Sequence, residues 1–246
     1  MENKISDYND YNYNEDFWIK SNRHYENNIE QKTLERLIKK IPTKLDKIID
    51  IGCGFGRLFP AYQNHAENYI LLDYAKNLLK EAQENIKTNN VSFIQGDFYK
   101  MPVEDSSVDL AISIRTLHHV TDTPAFFAEV HRILKPGGYF IFEIPNKKHL
   151  LNIFKFCIFR SRVNPFKTSP HKINETFYNY HPADINKKLL LANICKLESV
   201  SLSFFRLSLM KRLFSANFLS QADLFLQRYL SVFNITPSIF YLCRKK

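Results

Sequence analysis

The sequence lacks the marks of several protein classes. Its four cysteines, Cys53, Cys157, Cys195 and Cys243, never fall into a C-x-x-C pair. The spacing of a zinc site or of a disulfide framework is therefore missing, and a reduced, cytoplasmic setting is the expectation. No stretch approaches the ~18 consecutive apolar residues of a membrane span. Residues 1–16 are rich in Asn, Tyr and acids and hold no apolar h-region, so no secretory signal is expected there. Internal repeats and low-complexity tracts are absent. Acids run short in one region: residues 147–246 carry 4 Asp and Glu against 17 Lys and Arg, a net +13, whereas residues 1–146 carry 21 against 17, a net −4. So basic a carboxy-terminal part suggests an anionic partner, either nucleic acid or a membrane surface. A genome that favours lysine codons is the plain alternative.

What is present fits a globular chain. Hydrophobic residues make up 45% and charged ones 24% of 246 residues, an ordinary balance, and the length suits one α/β domain with elaborations. The chain is organised around residues 47–56, Lys-Ile-Ile-Asp-Ile-Gly-Cys-Gly-Phe-Gly. The β-branched run Ile48, Ile49 and Ile51 reads as a buried strand, and Gly52, Gly54 and Gly56 mark a sharp turn from it into a helix. A turn of this kind exposes main chain to a ligand, because no Cβ stands in the way. The spacing is not the dinucleotide fingerprint G-x-G-x-x-G, whose third glycine packs the helix start closely; that place is Arg57 here.

G-x-G-x-G preceded by Asp50 resembles motif I of the class I S-adenosylmethionine-dependent methyltransferases, and the sequence that follows keeps to that family's order. A strand over 69–72 ends at Asp73, 21 positions after Gly52, where a carboxylate can accept both hydroxyls of a ribose. The triplet Gly96-Asp97-Phe98 after a third strand resembles the family's adenine-binding corner, with an acid at the base edge and an apolar side chain on its face. A fourth strand over 108–114 leads to Arg115-Thr116-Leu117-His118-His119-Val120, similar to the type 11 and ubiquinone-biosynthesis-like members. Arg-Ile-Leu-Lys-Pro-Gly-Gly-Tyr then precedes a fifth strand over 139–144. The resemblance implies S-adenosylmethionine as cofactor, held by Asp50, Gly52, Cys53, Gly54 and Gly56, by Asp73 and Tyr74, and by Asp97, Phe98 and Arg115. His118 and His119 are the catalytic candidates, since imidazole titrates near neutral pH; no metal is expected. Tyr180 and His181, on a loop placed as the family's acceptor loops are, are the substrate-side candidates.

The resemblance implies a seven-stranded Rossmann-like sheet, mostly parallel with an antiparallel last strand, plus a helical lid. One domain covers 1–246: an amino-terminal arm and cap helix over 1–45, a cofactor-binding core over 46–146, a basic, aromatic-rich lid and substrate region with strand six over 147–233, and the last strand over 234–246. Tyr11, Tyr13, Phe17 and Trp18 make the arm a candidate cover for the cofactor. Residues 147–162 read as a helix with a wide apolar arc bordered by cations, including Arg160 and Arg162, suited either to an anionic bilayer surface or to burial against the sheet. The expected reaction is methyl transfer to a small, rather apolar, lipid- or quinone-like acceptor. Two alternatives stay open: a methyltransferase of the tRNA wobble uridine, on the likeness of residues 111–119, and a non-catalytic cofactor-binding partner subunit.

Overall fold

The structure, a computed structural model, describes residues 13–159, 161, 163–174 and 177–246. Tyr11, Arg160 and Arg162 fall outside them, as does the side chain of Tyr13.

A π-helical turn, Tyr13–Ile19, leads into helix α1, His24–Ile38. Strands and helices then alternate: β1 (Leu45–Ile51), α2 (Phe59–Tyr62), β2 (Ala66–Asp73), α3 (Lys76–Asn85), β3 (Val91–Gln95), β4 (Val108–Ser113), α4 (Thr123–Ile133) and β5 (Leu134–Pro145). The back third holds α5 (Leu150–Cys157), a short hairpin of β6 (His171–Lys172) and β7 (Tyr178–Asn179), α6 (Pro182–Leu191), β8 (Ile194–Leu202), α7 (Ser208–Leu213), α8 (Ala216–Leu230) and β9 (Ser238–Lys245).

Seven strands form one sheet in the order β3-β2-β1-β4-β5-β9-β8, and β9 runs antiparallel to both of its neighbours. The expected fold is thus the observed one. The alternation of β1 decides which side each residue serves. Ile48 joins Leu71, Leu110 and Ile112 against α1 on one face, while Ile49 and Ile51 join Ala111, Phe140 and Phe142 against α4 on the other. The order reverses between β1 and β4, which opens a crevice at their carboxyl ends, the usual ligand position in such sheets.

Two expected elements differ. The helix expected after the glycine turn is the single turn α2, because β2 begins at Ala66 and the Tyr69 hydroxyl takes up the freed backbone, accepting from Ala66 N–H (2.8 Å) and lying 2.6 Å from the Gln63 carbonyl. The Lys-Pro-Gly-Gly run does not precede the fifth strand but lies inside β5 as an irregularity: Val108 pairs with Leu134, yet Leu110 pairs with Tyr139.

A buried polar network fixes α1 on α8. Asp223 receives the Tyr25 hydroxyl and the Gln227 amide (2.9 Å), and Gln227 also donates to Thr33 (3.1 Å). This holds the inner side of α1 on the sheet face that Ile48, Leu71 and Leu110 form.

Candidate functional site

The glycine turn lines the crevice. Gly52, Gly54 and Gly56 all have positive φ, at 75°, 56° and 77°, a region that an L side chain enters only at a cost. A Cβ on Gly52 would overlap Thr116, and one on Gly56 would lie 2.6 Å from Ile86 Cδ1. A Cβ on Gly54 would meet nothing within 4 Å. Two of the glycines thus permit close packing, and the third turns bare main chain toward open space.

Asp73 braces the same turn. Its Oδ2 accepts from Gly54 N–H (2.7 Å) and its Oδ1 from Ala75 N–H (2.9 Å). Tyr74 N–H is a third backbone donor to this carboxylate, which keeps acceptor capacity for a ligand hydroxyl. Burial raises the Asp73 pKa, against the lowering effect of these amides. Asp50 is buried, and desolvation pushes its carboxyl up to about 7, opposed by the Tyr62 hydroxyl (2.7 Å) and by the charge of Arg57. Burial also pushes the Cys53 thiol well up, so Cys53 is a wall residue rather than a nucleophile.

The crevice wall includes Asp50, Gly52, Cys53, Gly54, Asp73, Tyr74, Leu78, Gly96, Phe98, Arg115 and His119. Nearly every cofactor candidate read from the sequence therefore meets in one place. Gly56 packs behind the turn. Asp97 is half-buried beside the wall, where its Oδ1 caps Tyr99 N–H (2.9 Å). The arrangement fits an adenosyl ligand on its own chemistry: open main chain at Gly54, a carboxylate for a vicinal diol at Asp73, and an apolar slot of Leu78, Gly96 and Phe98 for a flat ring.

Trp18 covers this crevice from the amino-terminal arm and is 5% exposed. It is held by cations, with the Arg57 guanidinium 3.8 Å and that of Arg115 5.0 Å from its ring centroid. Both arginines converge on Glu30 of α1, Arg57 Nη2 at 2.7 Å from Oε2 and Arg115 Nε at 2.8 Å from Oε1. Sequence reasoning missed Glu30. A signal existed, because Glu26, Glu30, Thr33 and Leu37 form one helical stripe and all four are buried.

Arg115 also borders a second cavity of about 370 Å³ that holds His118, Glu143, Phe177, Tyr178 and Arg206. The two histidines divide at this border, His119 facing the crevice and His118 the cavity. The His118 ring stacks on Phe177, with centroids 4.8 Å apart at 14°. Burial, then the charges of His119 and Arg115, lowers its pKa well below 6.5, so His118 is neutral near pH 7 and can accept a proton only weakly. The substrate-side expectation needs correction. Tyr180 is 1% exposed and gives its hydroxyl to the Val120 carbonyl, and the His181 ring caps α6 by accepting from Ala183 N–H at 3.1 Å. Neither lines the crevice or the cavity; the hairpin residues just before them do. Among the described residues no group of His, Cys, Asp and Glu could hold a metal ion.

The profile of a family described as a methyltransferase domain matches residues 49–142. An uncharacterized methyltransferase of Schizosaccharomyces pombe is 36% identical over 118 residues, 44% of this chain and 42% of its own length. A sterol 24-C-methyltransferase of Gibberella zeae is 32% identical over 101 residues, 38% of this chain and 26% of its own. The chain thus spans less than half the length of the curated relatives it matches. Over a longer reach, an S-adenosylmethionine-dependent methyltransferase structure from Mesorhizobium loti superposes with a TM-score of 0.61 at 18% identity, covering 90% of this chain and all of that one, which carries the fold alone. With the glycine turn, the Asp73 brace and the sheet order in hand, residues 49–142 match a methyltransferase domain and carry the fold of the class I S-adenosylmethionine-dependent methyltransferases.

Proposed function

We propose that this chain transfers a methyl group from S-adenosylmethionine to a small, largely apolar acceptor, lipid- or quinone-like. The observation that carries the reading is the second cavity, walled by Phe17, Ile173, Phe177 and Tyr178 and joined to the cofactor crevice at Arg115. The bound cofactor supplies an electrophilic methyl group, so the protein's task is alignment and exclusion of water. Trp18 roofs the crevice, Arg115 and His119 stand at its border with the cavity, and His118, neutral and stacked on Phe177, lends the cavity wall a flat uncharged face. Incubation of cell extract with protein and methyl-labelled cofactor tests this. Label is expected in an organic-soluble small molecule. Label in RNA would favour the tRNA reading, for which the basic back third speaks. Binding of S-adenosylhomocysteine without any transfer would favour a non-catalytic partner subunit.

An anionic membrane surface is the proposed partner of the back third. No helix among the described residues is long and apolar enough to cross a membrane. Yet α5 buries none of its residues and exposes Leu150, Leu151 and Phe154, followed by Ile158 and Phe159. The Leu150 N–H donates to the Ile235 carbonyl (2.8 Å), which sets this face beside exposed Val232 and Phe233. Exposed apolar area that carries a cation, here Lys155, is the pattern of an interfacial segment. Sedimentation with phosphatidylserine-containing vesicles is expected to pull down the protein, with a loss of about tenfold in affinity for the double variant Phe154→Asp, Phe159→Asp. Equal binding by wild type and variant would remove the assignment.

A further inference from the structure

The cavity beside the crevice is apolar in its walls but charged at its base. Phe17, Ile173, Phe177, Tyr178, Pro145 and Pro237 surround it, while Arg115, Glu143 and Arg206 reach it from three separate segments. The charges are unequally employed. Arg115 is engaged by Glu30, and Glu143, 5% exposed, takes the Ser238 hydroxyl at 2.8 Å. Arg206 follows β8, and its buried Nε has no hydrogen-bond partner among the described residues.

A buried guanidinium N–H without an acceptor is costly and seldom kept without use. Its planar fork matches the two oxygens of a carboxylate. A doubly charged phosphate would suffer more from Glu143 in the same cavity, so a singly charged anion is favoured. We infer that Arg206 binds a carboxylate on the acceptor, whose apolar remainder lies against Phe177, Tyr178 and Ile173. This rests on the methyltransferase reading only in naming the ligand an acceptor; the anion seat itself is a property of the cavity.

The test uses the full chain, calorimetry and two probes that share a tail, octanoate and octanol. Wild type is expected to bind octanoate about tenfold more tightly than octanol, a typical gain for a charge-assisted bidentate pair. Arg206→Gln should abolish that preference while S-adenosylhomocysteine still binds. Glu143→Gln, which keeps an acceptor for Ser238 and removes a like charge, should enlarge the preference several-fold, and this arm decides if the Arg206 variant fails to fold. Equal binding of the two probes, no binding of either, or a preference unchanged by Arg206→Gln overturns the inference. Octanoate preference in wild-type protein that takes no S-adenosylhomocysteine would keep the anion seat and sink the methyltransferase reading instead.

Discussion

Replacement of Gly54 by alanine is expected to leave a folded protein that has lost roughly ten- to a hundredfold of its affinity for S-adenosylhomocysteine. The two parts of this result have separate causes. At φ 56° a Cβ strains the backbone by about 1–2 kcal/mol, which for a chain of this size lowers the melting temperature by roughly 2–8 °C. That Cβ touches no protein atom within 4 Å, so no packing penalty is added. It projects instead into space the ligand needs, and forcing a methyl into a filled site typically costs about 1–3 kcal/mol, which becomes lost affinity. Gly52→Ala is the control of opposite kind. Its Cβ would run into Thr116, whose hydroxyl bonds the Ile51 carbonyl at 3.1 Å, so the damage there should appear as lost stability. Calorimetry and thermal melts on both variants separate the cases. Wild-type affinity in Gly54→Ala would show that the turn faces solvent and not a ligand.

The contrast between the two glycines marks how far the sequence could be read. Three of the chain's six glycines fall at alternate positions after a β-branched run, and local steric rules make that pattern a turn. Asp73 was legible for the same reason, since strand length and crossover length set its distance from the turn. What local rules cannot supply is the partner of a charge. Arg115 meets Glu30 across 85 positions, and nothing near either residue announces the other. The same blindness misplaced Tyr180 and His181. A Tyr-His-Pro sequence after an irregular loop reads equally as a polar rim or as a core anchor followed by a helix cap with proline at its start, and the packing of β5 chose the second. Asp97 sits between the cases: its bond to the amide two residues on is an ordinary Asx turn, compatible with but not aimed at the crevice.

Glu30→Ala should destabilise the fold by roughly 3–5 kcal/mol, the usual cost of stripping one partner from a buried ionic cluster. Glu30 is fully buried, and the side chains of Arg57 and Arg115 are only 10% and 14% exposed, so its removal leaves two guanidinium groups facing each other with little water to screen them. Burial alone would raise the Glu30 pKa; the charges of Arg115 and Arg57 more than reverse this and hold it below 4.5. The folded state therefore binds this proton more weakly than the unfolded chain does. The contribution is complete above the unfolded pKa and is lost as pH falls through the folded one. Asp50 has the opposite sense: its carboxyl is pushed up to about 7, so stability drains away as pH rises from 3.8 toward 7. Urea melts of wild type and Glu30→Gln across pH 3–8 should differ most at neutral pH, and the gap should close in acid while the Asp50 limb persists in both. The arm carrying Trp18 rests on the same two arginines, so Glu30→Gln should also increase the accessibility of Trp18 to a fluorescence quencher. A gap that stays constant down to pH 3, with Trp18 as shielded as before, would mean that Glu30 serves only to fill space and that the arginines find their charge balance elsewhere.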